Sequence, residues 1–271
     1  MATSLMRAAH TRLSSAPLIE DPWGEILLDD AEREALPLEP LLGHPTFGTV
    51  IVRSRYTEDA LRSAVGAGVR QYVVLGAGMD SFALRRPHYA AELEIIELDL
   101  PGTQAMKLQR LRERGVAPAD GVHYVAADLG REPLGQALAR SPYRPEQPAF
   151  FAWLGVATYL TREANLATLR AIAASAAPGS ELVFSYIEAR ELDPARASGD
   201  LEAVRAAVAA GGEPWVSGFD PSTLADDLGA AGLALVEDLD GELQRQRYCA
   251  GREDELRPVP TIHIVRARQA P

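Results

Sequence analysis

The sequence predicts an α/β fold: a doubly wound, mostly parallel sheet of seven strands with helices on both faces. Short apolar runs rich in β-branched residues alternate with segments of helical periodicity through most of the 271 residues. The first apolar run ends at a Gly-x-Gly turn, and the second ends at an acidic residue. Buried parallel strands have such continuous apolar runs because both faces of their sheet are covered.

The predicted strands and helices follow one another in a regular order. Thr161 suits the N-cap of one long helix, and Pro178-Gly179 ends that helix. Apolar runs predict strands at 71–76, 93–99, 122–127, 148–154, 181–187, 233–238 and 261–267. Helical periodicity predicts helices at about 80–86, 102–115, 132–139, 162–176 and 221–231.

Two segments lie outside this alternation. Residues 1–66 are predicted to form an N-terminal helical cap, whose last helix ends at Gly66. Residues 188–220, with alanine-rich helical character at 199–210, are predicted to form a lid-like insertion over the edge of the sheet where ligands bind. No repeat or linker divides the chain, so residues 1–271 are predicted to form a single domain.

The turn after the first strand carries the main functional signal. Gly76 and Gly78 follow the apolar run, and glycine lets the backbone turn sharply and approach a ligand without a Cβ atom. Asp99 ends the second strand 21 residues after Gly78, close to the spacing at which an acid accepts hydrogen bonds from ribose hydroxyls. Together these residues predict a site for an adenosine-containing cofactor.

The same turn distinguishes between classes of cofactor. A dinucleotide site uses a third glycine and a helix N-terminus directed at a pyrophosphate. Here the third position is Ser81, and Asp80 would repel a phosphate. The sequence also has no Gly-x-x-x-x-Gly-Lys-Ser/Thr loop, which nucleotide triphosphatases use. The turn therefore favours S-adenosylmethionine, which has no phosphate and carries a cationic sulfonium and ammonium.

Several motifs carry a resemblance to a known family. They are Leu75-Gly76-Ala77-Gly78-Met79-Asp80-Ser81, Glu97-Leu98-Asp99-Leu100-Pro101, Asp128-Leu129, Asp21-Pro22, Arg53-Ser54-Arg55, Tyr159-Leu160-Thr161, Pro214-Trp215 with Phe219-Asp220-Pro221, and residues 247–252. With these motifs the chain resembles the leucine carboxyl methyltransferase family, and within it the bacterial S-adenosylmethionine-dependent O-methyltransferases. The motifs span nearly the whole chain, and the first two together are far more specific than either alone.

The resemblance implies a fold and a set of cofactor contacts. The fold would be a Rossmann-like class I methyltransferase sheet whose last strand runs antiparallel, and S-adenosylmethionine would leave as S-adenosylhomocysteine. Asp128 and Leu129 would contact the adenine. Arg53, a planar bidentate donor, would pair with the methionine carboxylate, with Arg7 adding to the grip. The predicted cofactor-binding residues are Arg7, Arg53, Gly76, Ala77, Gly78, Asp80, Asp99, Leu100, Asp128, Leu129 and Leu154.

One position departs from the family pattern. Five residues before Tyr159 the family usually carries a glutamate, and this chain has Leu154. The cofactor ammonium would therefore lack one carboxylate partner, which backbone carbonyls near Gly76 could replace. Leu154 therefore argues against assigning the family's phosphatase-methylating function to this chain. A leucine there is compatible with a hydrophobic pocket for a small molecule.

The candidates on the acceptor side follow from the chemistry of the acceptor. Methyl transfer depends largely on positioning. A carboxylate acceptor needs a cation to place it, whereas a phenol with a pKa near ~10 profits from a base or a neighbouring positive charge. The catalytic candidates are His10, Tyr159 and Arg247, and the candidates for the substrate pocket are Tyr186, Tyr248, Trp215 and Phe219, the last two as an apolar wall.

Composition bounds the partners of the protein. A formal charge of −11 argues against nucleic acid, and the single Lys107 is attributed to coding bias. The five histidines lack ligand spacing, so no metal is expected. No apolar run approaches the ~20 residues that span a bilayer. With no signal peptide and only Cys249, we expect a cytoplasmic protein with a small-molecule acceptor and no membrane partner. The oligomeric state is left open.

Three functions fit these observations. The leading hypothesis is an O-methyltransferase of secondary metabolism that acts on a hydroxyl of a small, aromatic or polyketide-like metabolite. The second is a carboxyl methyltransferase that forms a methyl ester on a small acid or on a protein C-terminus. The third is a non-catalytic cofactor-binding protein, for which Leu154 is the support. A nicotinamide-dependent reductase is a fourth, more distant alternative.

Overall fold

Seven strands form one sheet in the protein, for which a computed structural model describes residues 2–29, 31–32, 41–193, 195–199, 201–210, 212–254 and 256–270. The strands are β1 (Gln71–Leu75), β2 (Glu94–Asp99), β3 (Val122–Ala126), β4 (Ala149–Trp153), β5 (Glu181–Ile187), β6 (Leu233–Leu239) and β7 (Ile262–Gln269). Their order across the sheet is β3-β2-β1-β4-β5-β7-β6. Strand β7 pairs antiparallel with β5 and β6, and the β1, β2, β3, β4 and β5 ladders are parallel. The predicted fold class is confirmed.

The helices fall between the strands and at the N-terminus. They are α1 (Ala2–Leu13), α2 (Trp23–Ile26), α3 (Phe47–Gly66), α4 (Phe82–Arg85), α5 (Pro101–Glu113), α6 (Leu134–Leu138), α7 (Arg162–Ser175), α8 (Glu202–Ala210), α9 (Leu224–Ala231) and α10 (Gly241–Tyr248). Short 3-10 turns occur at His88–Ala90, Ala157–Tyr159 and Ala189–Leu192.

The core has one layer on each face of the sheet. On one face, Tyr72, Val74 and Phe150 pack under side chains of α1 and α3, among them Leu5 and Ile51. On the other face, β1, β4 and β5 pack against α6, α7 and α9. All five residues of β1 are buried, as expected for a central strand covered on both sides. The sheet therefore holds the carboxyl ends of β1, β4 and β5 in a fixed arrangement.

The N-cap predicted for the long helix after β4 is confirmed. Thr161 Oγ1 accepts a hydrogen bond from the Ala164 N–H at 3.2 Å, which caps α7. Asp80 Oδ1 accepts one from the Phe82 N–H at 2.8 Å, at the first residue of α4. The lid-like insertion contains α8, while its residues 194, 200 and 211 lie outside the described residues.

Two predictions on helices are corrected. The cap is not helical throughout 4–66, because the chain leaves the helical conformation after Leu13, in a stretch that contains Pro17 and Pro22. Helix α10 was not predicted, because its polar sequence has little apolar periodicity. Its N-terminal signal is Asp240, whose Oδ1 accepts from the Leu243 N–H at 2.7 Å.

We expect Gly24→Ala to loosen the packing of α2 on α1. A Cβ atom at Gly24 would lie 2.0 Å from the Ser4 carbonyl oxygen. Relieving this contact requires a backbone shift, so the free energy of unfolding should fall by about 1–3 kcal/mol in urea titrations. Gly102→Ala in α5 is the matched control, because a Cβ atom there meets no atom within 4 Å. An equal loss of stability in both variants would contradict this prediction.

Candidate active site

A cavity of about 620 Å³ opens at the carboxyl ends of β1, β4 and β5. This volume lies within the range of about 300–1,000 Å³ that small-molecule sites occupy. The cavity begins where β1 lies between β2 and β4, the switch point at which doubly wound sheets bind ligands. Helices α1, α3, α5 and α8 contribute further parts of its wall, so the cap and the lid-like insertion both face the same space.

The glycine turn after β1 lines this cavity. Gly76 and Gly78 have φ angles of +68° and +50°, a region in which residues with a side chain are strained. A Cβ atom at Gly76 would lie 2.6 Å from Val156 Cγ2, whereas one at Gly78 would meet no atom within 4 Å. Gly76 therefore allows close packing against the turn after β4, and Gly78 leaves open space in front of the backbone.

The carboxylate of Asp99 joins the two turns beside this space. One oxygen accepts a hydrogen bond from the Gly78 N–H, and the other accepts one from the Leu100 N–H at 2.6 Å. A carboxylate has about four lone-pair sites, so Asp99 retains acceptor capacity for the hydroxyls of a ribose. The side chain lies next to Gly78, although the cavity wall itself does not include Asp99.

Three side chains hold the glycine turn from behind. Ser4 Oγ and Arg7 Nη2 donate to the Met79 carbonyl at 3.2 and 3.1 Å, and Lys107 Nζ donates to the Asp80 carbonyl at 2.6 Å. Lys107 is buried and also pairs with Glu97. Burial raises the pKa of Glu97, and the Lys107 ammonium opposes that shift. The only lysine of the chain therefore has a structural role, contrary to its attribution to coding bias.

Arg53 places a guanidinium in the cavity wall without a carboxylate partner among the described residues. Its Nη1 donates a long hydrogen bond of 3.4 Å to Ser185 Oγ. Burial and the neighbouring Arg7 lower the pKa of Arg53 to about 10, while Tyr159 and Asp80 raise it. A half-buried cation with no ion pair is suited to bind the carboxylate of a ligand.

Arg7 also lines the cavity, but its guanidinium is already engaged. Its Nε lies 2.7 Å from Asp21 Oδ2, and both side chains are buried. Asp21 also accepts a hydrogen bond from Ser81 and lies 3.7 Å from Arg85. Arg7 therefore has a structural role, in which it joins α1 to the glycine turn, and its contact with the cofactor carboxylate stays a prediction.

Residue 154, where the family usually has a glutamate, also lies in the cavity wall. Leu154 lines the cavity next to Gly155, and a Cβ atom at Gly155 would lie 3.0 Å from Arg53 Nη1. Asp80 is the lining carboxylate that belongs to the glycine turn, and only one of its oxygens has a described hydrogen bond. Asp80, rather than residue 154, is thus the side chain suited to bind a cofactor ammonium.

The predicted adenine contacts lie at the neighbouring edge of the sheet. The Ala127 N–H donates to the Asp99 carbonyl at 2.8 Å, which holds the turn after β3 beside β2. Asp128 accepts from the Gly130 N–H and pairs with Arg131, and Leu129 packs on the core. Leu100 is exposed at this edge. None of Leu100, Asp128 and Leu129 lines the cavity, and their contact with adenine stays a prediction.

Two predicted acceptor-side residues belong to the core instead. His10 is buried, and its Nε2 accepts a hydrogen bond from the Leu18 N–H at 2.8 Å. Phe219 is buried against Phe184 and Tyr186. Neither lines the cavity, so the predictions of a catalytic His10 and of a substrate wall at Phe219 are corrected.

Arg247 and Tyr248 are also placed away from the cavity. Arg247 forms a two-point ion pair with Glu237 on the surface, at 2.5 and 3.0 Å. The Tyr248 hydroxyl donates to Asp59 at 3.4 Å. Both lie at the end of α10, which packs by β6 and α3, so neither can orient an acceptor in this cavity. These two predictions are corrected as well.

Tyr159, Tyr186 and Trp215 do line the cavity. The Tyr186 hydroxyl donates to Asp238 at 2.9 Å and is buried, so it serves packing more than chemistry. Tyr159 is partly exposed. Burial and Glu213 raise the pKa of Tyr159, while a hydrogen bond with Trp215 and the charge of Arg53 lower it. Tyr159 therefore shares the cavity wall with Arg53 and with Glu213 and Trp215 of the lid-like insertion.

The cavity also contains residues that the sequence did not single out. The carboxyl-edge rule for doubly wound sheets could have indicated Ser185, near the end of β5. His44 and Glu213 carry no local signal, because they reach the cavity only through the packing of the cap and the insertion. The added lining residues with polar side chains are Thr3, His44, Thr46, Thr49, Ser54, Thr103, Thr158, Ser185 and Glu213.

In the described part of the chain, no helix is both long enough and apolar enough to cross a bilayer. Within the same residues, no group of three or more His, Cys, Asp or Glu side chains is arranged to hold a metal ion.

Comparisons with known proteins agree with the sheet and the turn. The family model for leucine carboxyl methyltransferase matches residues 1–173. A Bacillus subtilis protein, YktD, provisionally named an S-adenosyl-L-methionine-dependent methyltransferase, is 30% identical over 81% of this chain and 72% of its own length. A Mycobacterium tuberculosis relative with the same provisional description is 32% identical over 79% of this chain and 73% of its own. A crystal structure from Thermobifida fusca, provisionally described as a methyltransferase, superimposes with a TM-score of 0.61 at 17% identity, covering 99% of this chain and 94% of that chain.

We expect Asp99→Ala to weaken binding of S-adenosylhomocysteine. The substitution removes the acceptors for the ribose and for the Gly78 N–H, a loss of about 2–3 kcal/mol, or roughly 30- to 150-fold in Kd. Isothermal titration of the folded variant measures this change. Asp226→Ala, at an exposed position of α9, is the control. An Asp99→Ala protein with the wild-type Kd would show that the ribose lies elsewhere.

We expect His10 to make the stability of the protein depend on pH. Burial and Arg252 lower its pKa to about 4, against the opposing effect of Asp254. The unfolded chain binds a proton near pH 6.5 that the folded chain rejects, so stability falls as the pH drops below about 6.5. Between pH 7 and 5 the wild type should lose about 2 kcal/mol more than His10→Gln in urea unfolding. Parallel pH profiles for the two proteins would contradict this assignment.

Proposed function

The chain belongs to the leucine carboxyl methyltransferase family and is an S-adenosylmethionine-dependent methyltransferase, and on this premise we propose that it transfers the methyl group to a hydroxyl of a small, apolar or aromatic metabolite. When bound, the cofactor supplies an electrophilic methyl group on a sulfonium. The residues of this chain bind it, orient it and hold the acceptor beside it.

The cofactor side of the cavity fits S-adenosylmethionine by its chemistry. The open space before Gly78 accepts a ligand, and Asp99 keeps lone pairs for a ribose. The guanidinium of Arg53, which has no carboxylate partner among the described residues, suits the methionine carboxylate, and the Asp80 carboxylate suits the ammonium. The donors and acceptors therefore match a zwitterionic cofactor with no phosphate, as the glycine turn predicted.

The charge of the cavity wall supports a hydroxyl acceptor over a carboxylate acceptor. Among the described lining residues, the arginines are Arg7 and Arg53. Asp21 engages the first, and the proposal assigns the second to the cofactor carboxylate. No further lysine or arginine of that wall remains to place an acceptor carboxylate. A neutral hydroxyl needs no such cation for binding.

The rest of the wall supports an apolar acceptor. Trp215, in the lid-like insertion, packs half-buried among Ile187, Val204 and Ile262. An indole in an apolar cluster offers a flat surface to an aromatic ring. Leu154 adds a further apolar side chain where the family usually has a glutamate. We therefore favour an aromatic or polyketide-like metabolite of secondary metabolism, in the cytoplasm, over a protein C-terminus.

The test uses methyl-labelled S-adenosylmethionine with two sets of small aromatic probes, one of phenols and one of carboxylic acids. We expect S-adenosylhomocysteine to form with phenols, and the label to stay on the product after mild alkali, because an ether resists base that cleaves a methyl ester. Release of the label as methanol would instead identify a carboxyl methyltransferase. No product with either set, while S-adenosylhomocysteine binds, would support a non-catalytic binding protein.

We also expect Arg53→Met to raise the Kd of S-adenosylhomocysteine by about 10- to 150-fold, because hydrogen bonds to a charged group contribute about 1.5–3 kcal/mol. Titration of the wild type, Arg53→Met and Arg53→Lys makes the comparison. Arg53→Lys keeps the charge but loses the two-point geometry, so its Kd should lie between the other two. Equal affinities in all three proteins would remove Arg53 from the cofactor site.

A further inference from the structure

Residues 213–219, which we call the strap, contribute Glu213 and Trp215 to the wall of the cavity and follow a path fixed by backbone hydrogen bonds. The Glu213 N–H donates to the Val208 carbonyl at 2.9 Å, which ties the start of the strap to α8. The Val216 N–H donates to the Thr158 carbonyl at 2.7 Å, and the Phe219 N–H donates to the Ile187 carbonyl at 3.1 Å. The strap is therefore attached to α8, to the turn after β4 and to the end of β5.

The attachments place two side chains of the strap in the cavity wall, Glu213 and Trp215. Ser217 attaches the strap to the segment that begins α7, because its Oγ donates to the Leu160 carbonyl at 2.7 Å and accepts from Asn165 Nδ2 at 2.9 Å. Asn165 is buried. Because the backbone is held on both sides of Trp215, the carboxylate and the indole keep a fixed relation to one another.

Tyr159 connects these two side chains to the cofactor side. Tyr159 lines the same cavity as Arg53, Glu213 and Trp215, and all three influence the pKa of its phenol group. Arg53 lies beside Gly155 in the turn after β4. One wall therefore includes Arg53, which the proposed function assigns to the cofactor, Tyr159, and Glu213 of the strap.

The acceptor end therefore combines an apolar floor with one negative charge. Val204, Ile187 and Ile262 form the floor with Trp215. Of the described lining residues, the carboxylates are Asp80, which belongs to the glycine turn, and Glu213, which belongs to the strap. A ring that stacks on Trp215 brings its substituents near Glu213.

We propose that Glu213 is a specificity-determining residue that excludes carboxylate acceptors from the strap end of the cavity and admits a neutral hydroxyl on an apolar ring. The inference rests on the proposed function, because it assigns this end of the cavity to the acceptor. Glu213 is exposed and lines the cavity, so its charge faces the strap end. A carboxylate acceptor beside it would be repelled, whereas a hydroxyl can donate a hydrogen bond to Glu213.

The test is a binding experiment on the full-length protein saturated with S-adenosylhomocysteine. The two probes are 2-naphthol and 2-naphthoate, which share the ring and differ in the charge of the substituent. We expect the wild type to bind 2-naphthol at least about tenfold more tightly in isothermal titration at pH 7.5. Glu213→Gln should bind 2-naphthoate about tenfold more tightly than the wild type does, and Glu213→Arg more tightly still.

Glu202→Gln is the matched control, because Glu202 is exposed on α8 of the same insertion and does not line the cavity. It should bind both probes as the wild type does. Equal wild-type affinities for the two probes, or a ratio of affinities that Glu213→Gln and Glu213→Arg leave unchanged, would overturn the assignment of Glu213.

The outcomes also separate this inference from the proposed function. If S-adenosylhomocysteine binds but neither probe binds its complex, the role of Glu213 is overturned while the methyltransferase assignment stands. If S-adenosylhomocysteine itself does not bind the wild type, the proposed function fails, and the inference fails with it.

Discussion

The site depends on one carboxylate that bridges two turns. Asp99 accepts hydrogen bonds from the backbone N–H groups of Gly78 and Leu100, and so it sets the distance between the ends of β1 and β2. A neutral side chain at this position could not accept two backbone donors at once with the same strength. The parallel pairing of β1 with β2, in which Leu75 lies opposite Leu98, brings Asp99 to this place. The register of the central strands therefore determines where the Asp99 carboxylate lies relative to the glycine turn.

The N-terminal cap supports the same turn from the other side. Asp21 is fully buried, and its charge is held by Arg7 and Arg85; these arginines and the Ser81 hydroxyl lower its pKa against the effect of burial. Removing one partner of such a group leaves a buried charge uncompensated, so the network constrains the cap and the turn together. Lys107, on α5, also constrains the turn, because its ammonium donates a hydrogen bond to the Asp80 carbonyl. The cap therefore supports the proposed cofactor site, in which Arg53 is the cap side chain whose chemistry suits the cofactor.

Sequence reasoning was most successful where the physics is local. The strand predicted at 71–76 is observed at Gln71–Leu75, because a buried parallel strand leaves a continuous apolar run. The glycine turn was predicted because positive φ angles select glycine. Arg247 and His10 were misplaced because their roles depend on partners chosen by tertiary packing, Glu237 and the backbone of Leu18. Glu213 was missed for the same reason. Chain-distant partners leave no periodicity or spacing in the sequence.

The division of the site between two parts of the chain limits what the family name says about the substrate. The family match ends at residue 173, and it includes the glycine turn, Asp99, Arg53 and Tyr159. The strap and α8, which line the proposed acceptor end of the cavity, lie beyond it. Cofactor binding can therefore be inherited while the acceptor changes, since insertions above a fixed sheet vary without disturbing the strands. The apolar wall at Trp215 and the carboxylate of Glu213 belong to this variable part, and so they, more than the leucine carboxyl chemistry of the family name, should determine which molecule is methylated.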